Sequence, residues 1–302
     1  MFQRALASLS EERFAIPLEE IKQRHELPDS KYLELQGMKI HYRDVGQGPV
    51  LLLLHGMFSS LHTWNDWSDI LSKHFRVICL DNPNYGLTGP HPKGVYKHMY
   101  SDFLNEFTDA LGVETCMVAG NSLGGWMTWD FAARYPHKVS KFVLLDAAGF
   151  FFIPPATISS LAVPFAGWSA SRMKIPRKAL YGSVRSLYGQ PDRIKKEQLE
   201  CYYDMMMRPG NRASAARVVR YIRNNVGFDT RPLKNITQPA LIMWGKQDAW
   251  IPVAHAHRFA KAIPNARTVI YDNCGHMPME EIPEQSAADC LAFLLENNRF
   301  LT

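Results

Sequence analysis

Residues 114–126 read Glu-Thr-Cys-Met-Val-Ala-Gly-Asn-Ser-Leu-Gly-Gly-Trp. The first half is a short apolar run, as expected for a strand covered on both faces of a sheet. The second half opens a helical stretch over residues 123–135. Gly120-Asn121-Ser122-Leu123-Gly124 therefore places G-x-S-x-G where a strand turns into a helix. In such a turn the serine takes a strained backbone conformation, and small neighbours let strand and helix approach closely. The turn lifts Ser122 Oγ above the sheet edge and aims the Leu123 N–H, at a helix N-terminus, at the same point. Nucleotide readings of these glycines fail. A phosphate loop needs Lys where Trp126 stands, and a dinucleotide fingerprint needs Gly at Ser122.

Further runs of the same kind flank this one, at residues 50–56, 75–81, 140–147, 239–245 and 266–272. Residues 32–36 and 38–45 alternate about Gly37 and predict an antiparallel hairpin. Helical stretches at 61–73, 96–111, 123–135, 254–262 and 283–297 lie between or after the runs. The alternation predicts an α/β fold, a doubly wound, mostly parallel sheet with a small antiparallel edge. Residues 147–239 interrupt it without a convincing strand. Helices are expected there near 192–207 and 212–225, the second after Asn211 as N-cap. The expected division is a core of residues 1–149 and 237–302 with a mostly helical cap, 150–236, inserted over it.

The chain has 302 residues, 46% of them hydrophobic, and a net charge of +5. That composition is globular and falls short of a nucleic-acid footprint. Residues 151–236 carry fifteen Lys/Arg against five Asp/Glu, so this segment is +10 and the remainder −5. A solvated basic face explains this, and contact with anionic substrates or a membrane surface is the sharper expectation. Cys79, Cys116, Cys201, Cys274 and Cys290 include no C-x-x-C pair and read as buried thiols. Glu11, Glu12 and Arg13 interrupt any signal-like apolar stretch, so a cytoplasmic location is expected; separately, a monomer or homodimer is expected. Neither cofactor nor metal is expected.

A serine hydroxyl needs a base to take its proton. In a strand–elbow–helix architecture the order is Ser, acid, His, the last two on loops after later strands. His276 follows the run ending at Asp272, and Gly275 beside it permits a tight turn. His255 and His257 look like helix-surface residues, and His25, His74 and His137 like solvated ones. Asp248 lies 126 residues after Ser122 and 28 before His276, and it is the expected acid. Asp146, at the end of the preceding run, is the rival, with a buried carboxylate bonded to backbone N–H groups as its plain reading. His55-Gly56-Met57 follows another run, so the Met57 and Leu123 N–H groups are the expected oxyanion hole. His55 and Asp81 read as structural supports of their loops. Candidate substrate contacts are Phe58, Trp126, Phe150, Phe151, Phe152, Trp250 and Met277, with Phe165, Trp168 and Met205–Met207 from the cap.

These motifs resemble the α/β-hydrolase superfamily over nearly the whole chain. HGMFSSLHTW (55–64), LDNPNYGLTGP (80–90) and CGHMPMEEIPE (274–284) look more closely like Moraxella-type bacterial serine lipases. That group usually has Gly-Phe where this chain has Asn84-Tyr85. The resemblance implies a carboxylesterase or lipase-type serine hydrolase acting on small to medium acyl esters through an acyl-enzyme. GNSLGG and CGH also resemble carbon–carbon bond hydrolases of ring-cleavage products. Those usually have a glycine-rich stretch after His-Gly, and Arg where this chain has Ala249. Lactonase, amidase or thioesterase chemistry fits the same residues. Haloalkane dehalogenases and epoxide hydrolases need Asp at the elbow, and a non-catalytic ligand-binding homologue need not keep Ser122, Asp248 and His276 together.

Overall fold

A computed structural model describes residues 14–153, 156–159, 163, 172–224 and 228–296. Eight strands form one sheet: β1 (Ser30–Leu35), β2 (Met38–Val45), β3 (Val50–Leu54), β4 (Arg76–Leu80), β5 (Cys116–Asn121), β6 (Val139–Leu145), β7 (Ala240–Gly245) and β8 (Ala266–Tyr271). Their order is β1-β2-β4-β3-β5-β6-β7-β8. β1, β2 and β4 pair antiparallel, and every pairing from β4 to β8 is parallel. The doubly wound reading is the observed fold.

The helices are α1 (Leu18–His25), α2 (Asn65–Leu71), α3 (Met99–Ala110), α4 (Leu123–Arg134), α5 (Ala156–Ser159), α6 (Arg177–Arg185), α7 (Lys196–Met207), α8 (Asn211–Asn224), α9 (Ala254–Ala262), α10 (Pro278–Glu281) and α11 (Pro283–Leu295). The period-two geometry of a strand sorts each buried run onto two faces. Leu52, Leu54, Val118, Leu144, Ile242 and Trp244 pack on one side with Phe103 of α3 and Phe131 of α4. Leu51, Leu53, Ala119, Val143, Leu241 and Met243 pack on the other with Trp67 of α2 and Phe293 of α11. This explains why the runs are apolar throughout and do not alternate: both faces are covered.

Between β6 and β7 the described elements are helical, α5 to α8 with two short 3-10 turns. α1 lies against α7: Ile21 packs with Met205 and Cys201, while Asp204 receives Arg24 Nη1 at 3.0 Å and His25 Nε2 at 2.8 Å. His25 is therefore an anchor and not the solvated residue its surroundings suggest. His255 also departs from expectation. It is buried, with its ring edge-on to Phe150 and Phe152. All five cysteines are free and buried.

Gly245, at the end of β7, marks a close crossing. A Cβ there would stand 1.8 Å from the Gly275 carbonyl oxygen, a backbone atom of the loop bearing His276. Gly275 is itself needed for close approach: a Cβ on it would meet Gly189 N and Leu187 O at 2.4 Å each. That replaces the tight-turn reason for this glycine, because its φ is not positive. Gly245→Ala should therefore destabilise the fold by about 1–3 kcal/mol or more, read as a lower thermal midpoint. An unchanged midpoint would show that the two loops can separate without cost.

Candidate active site

The elbow is built as its sequence requires. Ser122 has φ 55° and ψ −115°, outside the regions open to most side chains. A Cβ on Gly120 would lie 2.2 Å from Gly124 O, and one on Gly124 would lie 2.0 Å from Leu54 O. The strained residue is pinned on both sides, Ser122 N donating to Leu145 O and Ala148 N to Ser122 O, each at 2.9 Å. Asn121 Nδ2 donates to His276 O at 2.9 Å, so the elbow also holds the histidine loop.

His276 Nδ1 lies 2.7 Å from Asp248 Oδ2. Asp248 Oδ1 accepts Trp250 N at 2.7 Å and Ile251 N at 3.0 Å, which anchors that oxygen. With Nδ1 occupied, Nε2 is the nitrogen left to act as a base. The Trp250 ring lies over the imidazole, centroids 6.0 Å apart and planes 23° apart. Ser122 and His276 line the same cavity, although the Ser122 hydroxyl makes no hydrogen bond to a described residue. Such bonds often close only when substrate arrives.

Gly56 brings the first loop against the elbow, since a Cβ on it would lie 3.1 Å from the Ser122 Cβ. Met57 lines the cavity beside Ser122. His55 fits its structural reading: Nδ1 lies 2.7 Å from Gly56 O, and Nε2 accepts Asn82 N at 2.9 Å. Burial keeps this imidazole neutral by lowering its pKa. Asp81 accepts Leu61 N and Leu87 N, and its Oδ2 lies 2.8 Å from His41 Nδ1. Burial opposes its charge, but His41 first, with His55 and His62 beside it, outweighs that and brings its pKa down to about 2. Asn84 adopts φ 81°, a left-handed conformation that asparagine tolerates, so the turn survives without glycine there.

Two apolar lobes meet at Ser122. One, of about 230 Å³, is walled by Phe58, Leu180, Val184, Met206 and Met277, with Arg212 in its lining. The other, of about 260 Å³, is walled by Phe150, Phe151, Phe152, Val219, Ile222 and Phe228, with Arg223 in its lining. Met57, Ile158 and Trp250 border both. Trp126 is a correction. It is not in the wall of either lobe, and it packs behind Phe228 at a centroid distance of 4.8 Å. Met205 and Met207 are buried beside the lobes, and only Met206 of that trio lines one. Phe165 and Trp168 lie outside the described residues.

Glu281 was not singled out from the sequence. Its carboxylate accepts Gly275 N at 2.8 Å, Gln190 N at 2.7 Å and Gly189 N at 3.1 Å. Together with His276 N donating to Leu187 O at 2.6 Å, it ties the histidine loop to the chain between β6 and β7. The one available signal was the acidic pair in MPMEEIP, placed just after the histidine.

A family model described as "Alpha/beta hydrolase family" matches residues 51–289. A 2-hydroxy-6-oxo-2,4-heptadienoate hydrolase of Pseudomonas putida is 27% identical over 250 residues, covering 80% of this chain and 87% of its own. A candidate lipase of known structure from Acinetobacter baumannii is 26% identical, with TM-score 0.74 over 92% of this chain and 94% of its own. A meta-cleavage product hydrolase from Pseudomonas fluorescens is similar in fold, with TM-score 0.77 and 23% identity over 87% of this chain and 97% of its own.

Proposed function

The chain belongs to the alpha/beta hydrolase family, and from that premise we propose that it is a serine hydrolase cleaving apolar carboxylic esters through an acyl-enzyme. The observation that carries the reading is the strained Ser122 opening into a two-lobed apolar cavity beside an imidazole whose far nitrogen is held by Asp248. Ser122 Oγ attacks the ester carbonyl carbon while His276 Nε2 takes its proton. The Met57 and Leu123 N–H groups receive the oxyanion. His276 then returns the proton to the departing alkoxide oxygen as the C–O bond breaks. Water, deprotonated by the same nitrogen, attacks the acyl carbon and releases the acid and free Ser122.

The leaving oxygen must reach Nε2, so the lobe containing His276 takes the alcohol portion. The lobe on the Leu123 side takes the acyl chain. In this reading the described part of residues 150–236 acts as a cap over both lobes. Val219→Trp, which fills the acyl lobe, should lower kcat/KM for a long-chain nitrophenyl ester about tenfold or more relative to the acetate. Equal effects on both chain lengths would place the acyl group elsewhere.

A second reading is carbon–carbon hydrolysis of a ring-cleavage dienoate by the same residues. Two observations favour it: the name of the Pseudomonas putida relative, and Arg212 and Arg223 in the lobe walls, where a substrate carboxylate would find positive charge. The ratio of kcat/KM for a 2-hydroxy-6-oxo-dienoate to that for nitrophenyl butyrate decides between them. The ester reading expects a ratio well below one, and a ratio well above one replaces it by the second.

A further inference from the structure

The described chain holds a second carboxyl group at the acid position that the mechanism above does not use. Asp146 follows β6 in a left-handed conformation, φ 45°, which non-glycine residues adopt at a cost. Its side chain is completely buried. Oδ1 accepts Gly245 N at 2.9 Å, whereas Oδ2 is buried without a hydrogen-bond partner. One side-chain ligand atom each from Asp146, Asp248 and His276 lies within 4.8 Å of the other two. Two ionised carboxylates offer only acceptors, so at this separation and away from water they repel with nothing between them.

A single proton resolves the conflict, and the surroundings decide which group carries it. Asp248 already has three donors: the N–H groups of Trp250 and Ile251, and His276 Nδ1. Asp146 has one. We propose that Asp146 is a positioning residue of this site, a neutral carboxylic acid whose O–H donates to the Asp248 carboxylate and so holds the plane in which Asp248 presents Oδ2 to His276.

The charges around it agree. Burial raises the Asp146 carboxyl well above the ordinary carboxylate range, Asp248 and Glu281 push the same way, and the Gly245 N–H opposes them. Two further titratable groups face it, the His276 imidazole in the same cluster and the Cys274 thiol, which burial keeps protonated. The inference rests on the serine-hydrolase reading of Ser122 and His276, for either substrate class.

The test uses the rate at which diisopropyl fluorophosphate inactivates the full chain, measured against pH, so no natural substrate is needed. Asp146→Asn replaces the acid by a neutral donor of the same shape. It should leave the plateau rate within about twofold and the acid limb of the profile in place. Asp146→Ala removes the donor. It should lower the plateau about tenfold, the size of one hydrogen bond to a charged group, and move the acid limb upward because Asp248 then pairs more strongly with the imidazolium. A downward shift of the limb in Asp146→Asn would show that an anion has been removed, and would overturn the proposal. So would an Asp146→Ala profile that matches the wild type. An infrared difference spectrum, wild type minus variant, should contain a carboxylic-acid C=O band at neutral pH, and its absence would also overturn it. Failure of the wild-type chain to react at all would instead overturn the serine-hydrolase reading.

Discussion

Ser122→Ala should abolish turnover, lowering kcat by about 10⁴- to 10⁶-fold on whichever substrate class the enzyme accepts. The variant removes one oxygen from the cavity lining and leaves the Cβ in place. The strained turn is held by main-chain bonds from Ser122 N and to Ser122 O, which alanine keeps. Alanine also keeps a Cβ at φ 55°, so the cost of that conformation is nearly unchanged. The thermal midpoint should therefore stay close to the wild-type value while activity disappears. Residual activity within tenfold of wild type would exclude Ser122 as nucleophile. Loss of activity together with unfolding would point to a structural role only.

Asp248→Asn should cost about 10⁴-fold in kcat, more than the loss of one hydrogen bond would suggest. Asp248 Oδ1 accepts two backbone N–H groups, from Trp250 and Ile251, and only an oxygen can occupy that place. The asparagine carbonyl must take it, which turns the amide NH₂ toward His276 Nδ1. A donor facing Nδ1 moves the imidazole proton to Nε2, the nitrogen that has to accept the Ser122 proton. The base is then present but in the wrong tautomer. Stopped-flow acylation and pH–rate profiles check this. The loss should be concentrated in kcat with KM little changed, and part of it should return at high pH as hydroxide substitutes for the base. A loss expressed mainly in KM would place Asp248 in substrate binding.

Much of this architecture was legible in the chain because its signals are local. A run such as Val50–Leu54 has apolar residues at every position only when both sheet faces are covered, and the two packed faces of β3 are what that pattern requires. The Gly-Asn-Ser-Leu-Gly elbow was legible for a steric reason. Gly120 and Gly124 stand where a methyl group would overlap the neighbouring backbone.

What could not be read was contact between distant segments. His255 shares a helix with His257 and looks equally exposed in sequence, yet it packs against Phe150 and Phe152, which follow β6. Trp126 sits four residues past Ser122, and its contact with Phe228, which does line a lobe, comes from a distant segment. Glu281 and the His25–Asp204 anchor depend on approaches of the chain between β6 and β7, whose register no local periodicity encodes.

The most direct measurement is intact-protein and peptide mass spectrometry after exposure to a fluorophosphonate, on the wild type and on His276→Ala. A single adduct per chain, located at Ser122 and formed far more slowly without the imidazole, is the predicted result. An unmodified wild-type chain, an adduct on another residue, or equal labelling of both proteins would contradict it.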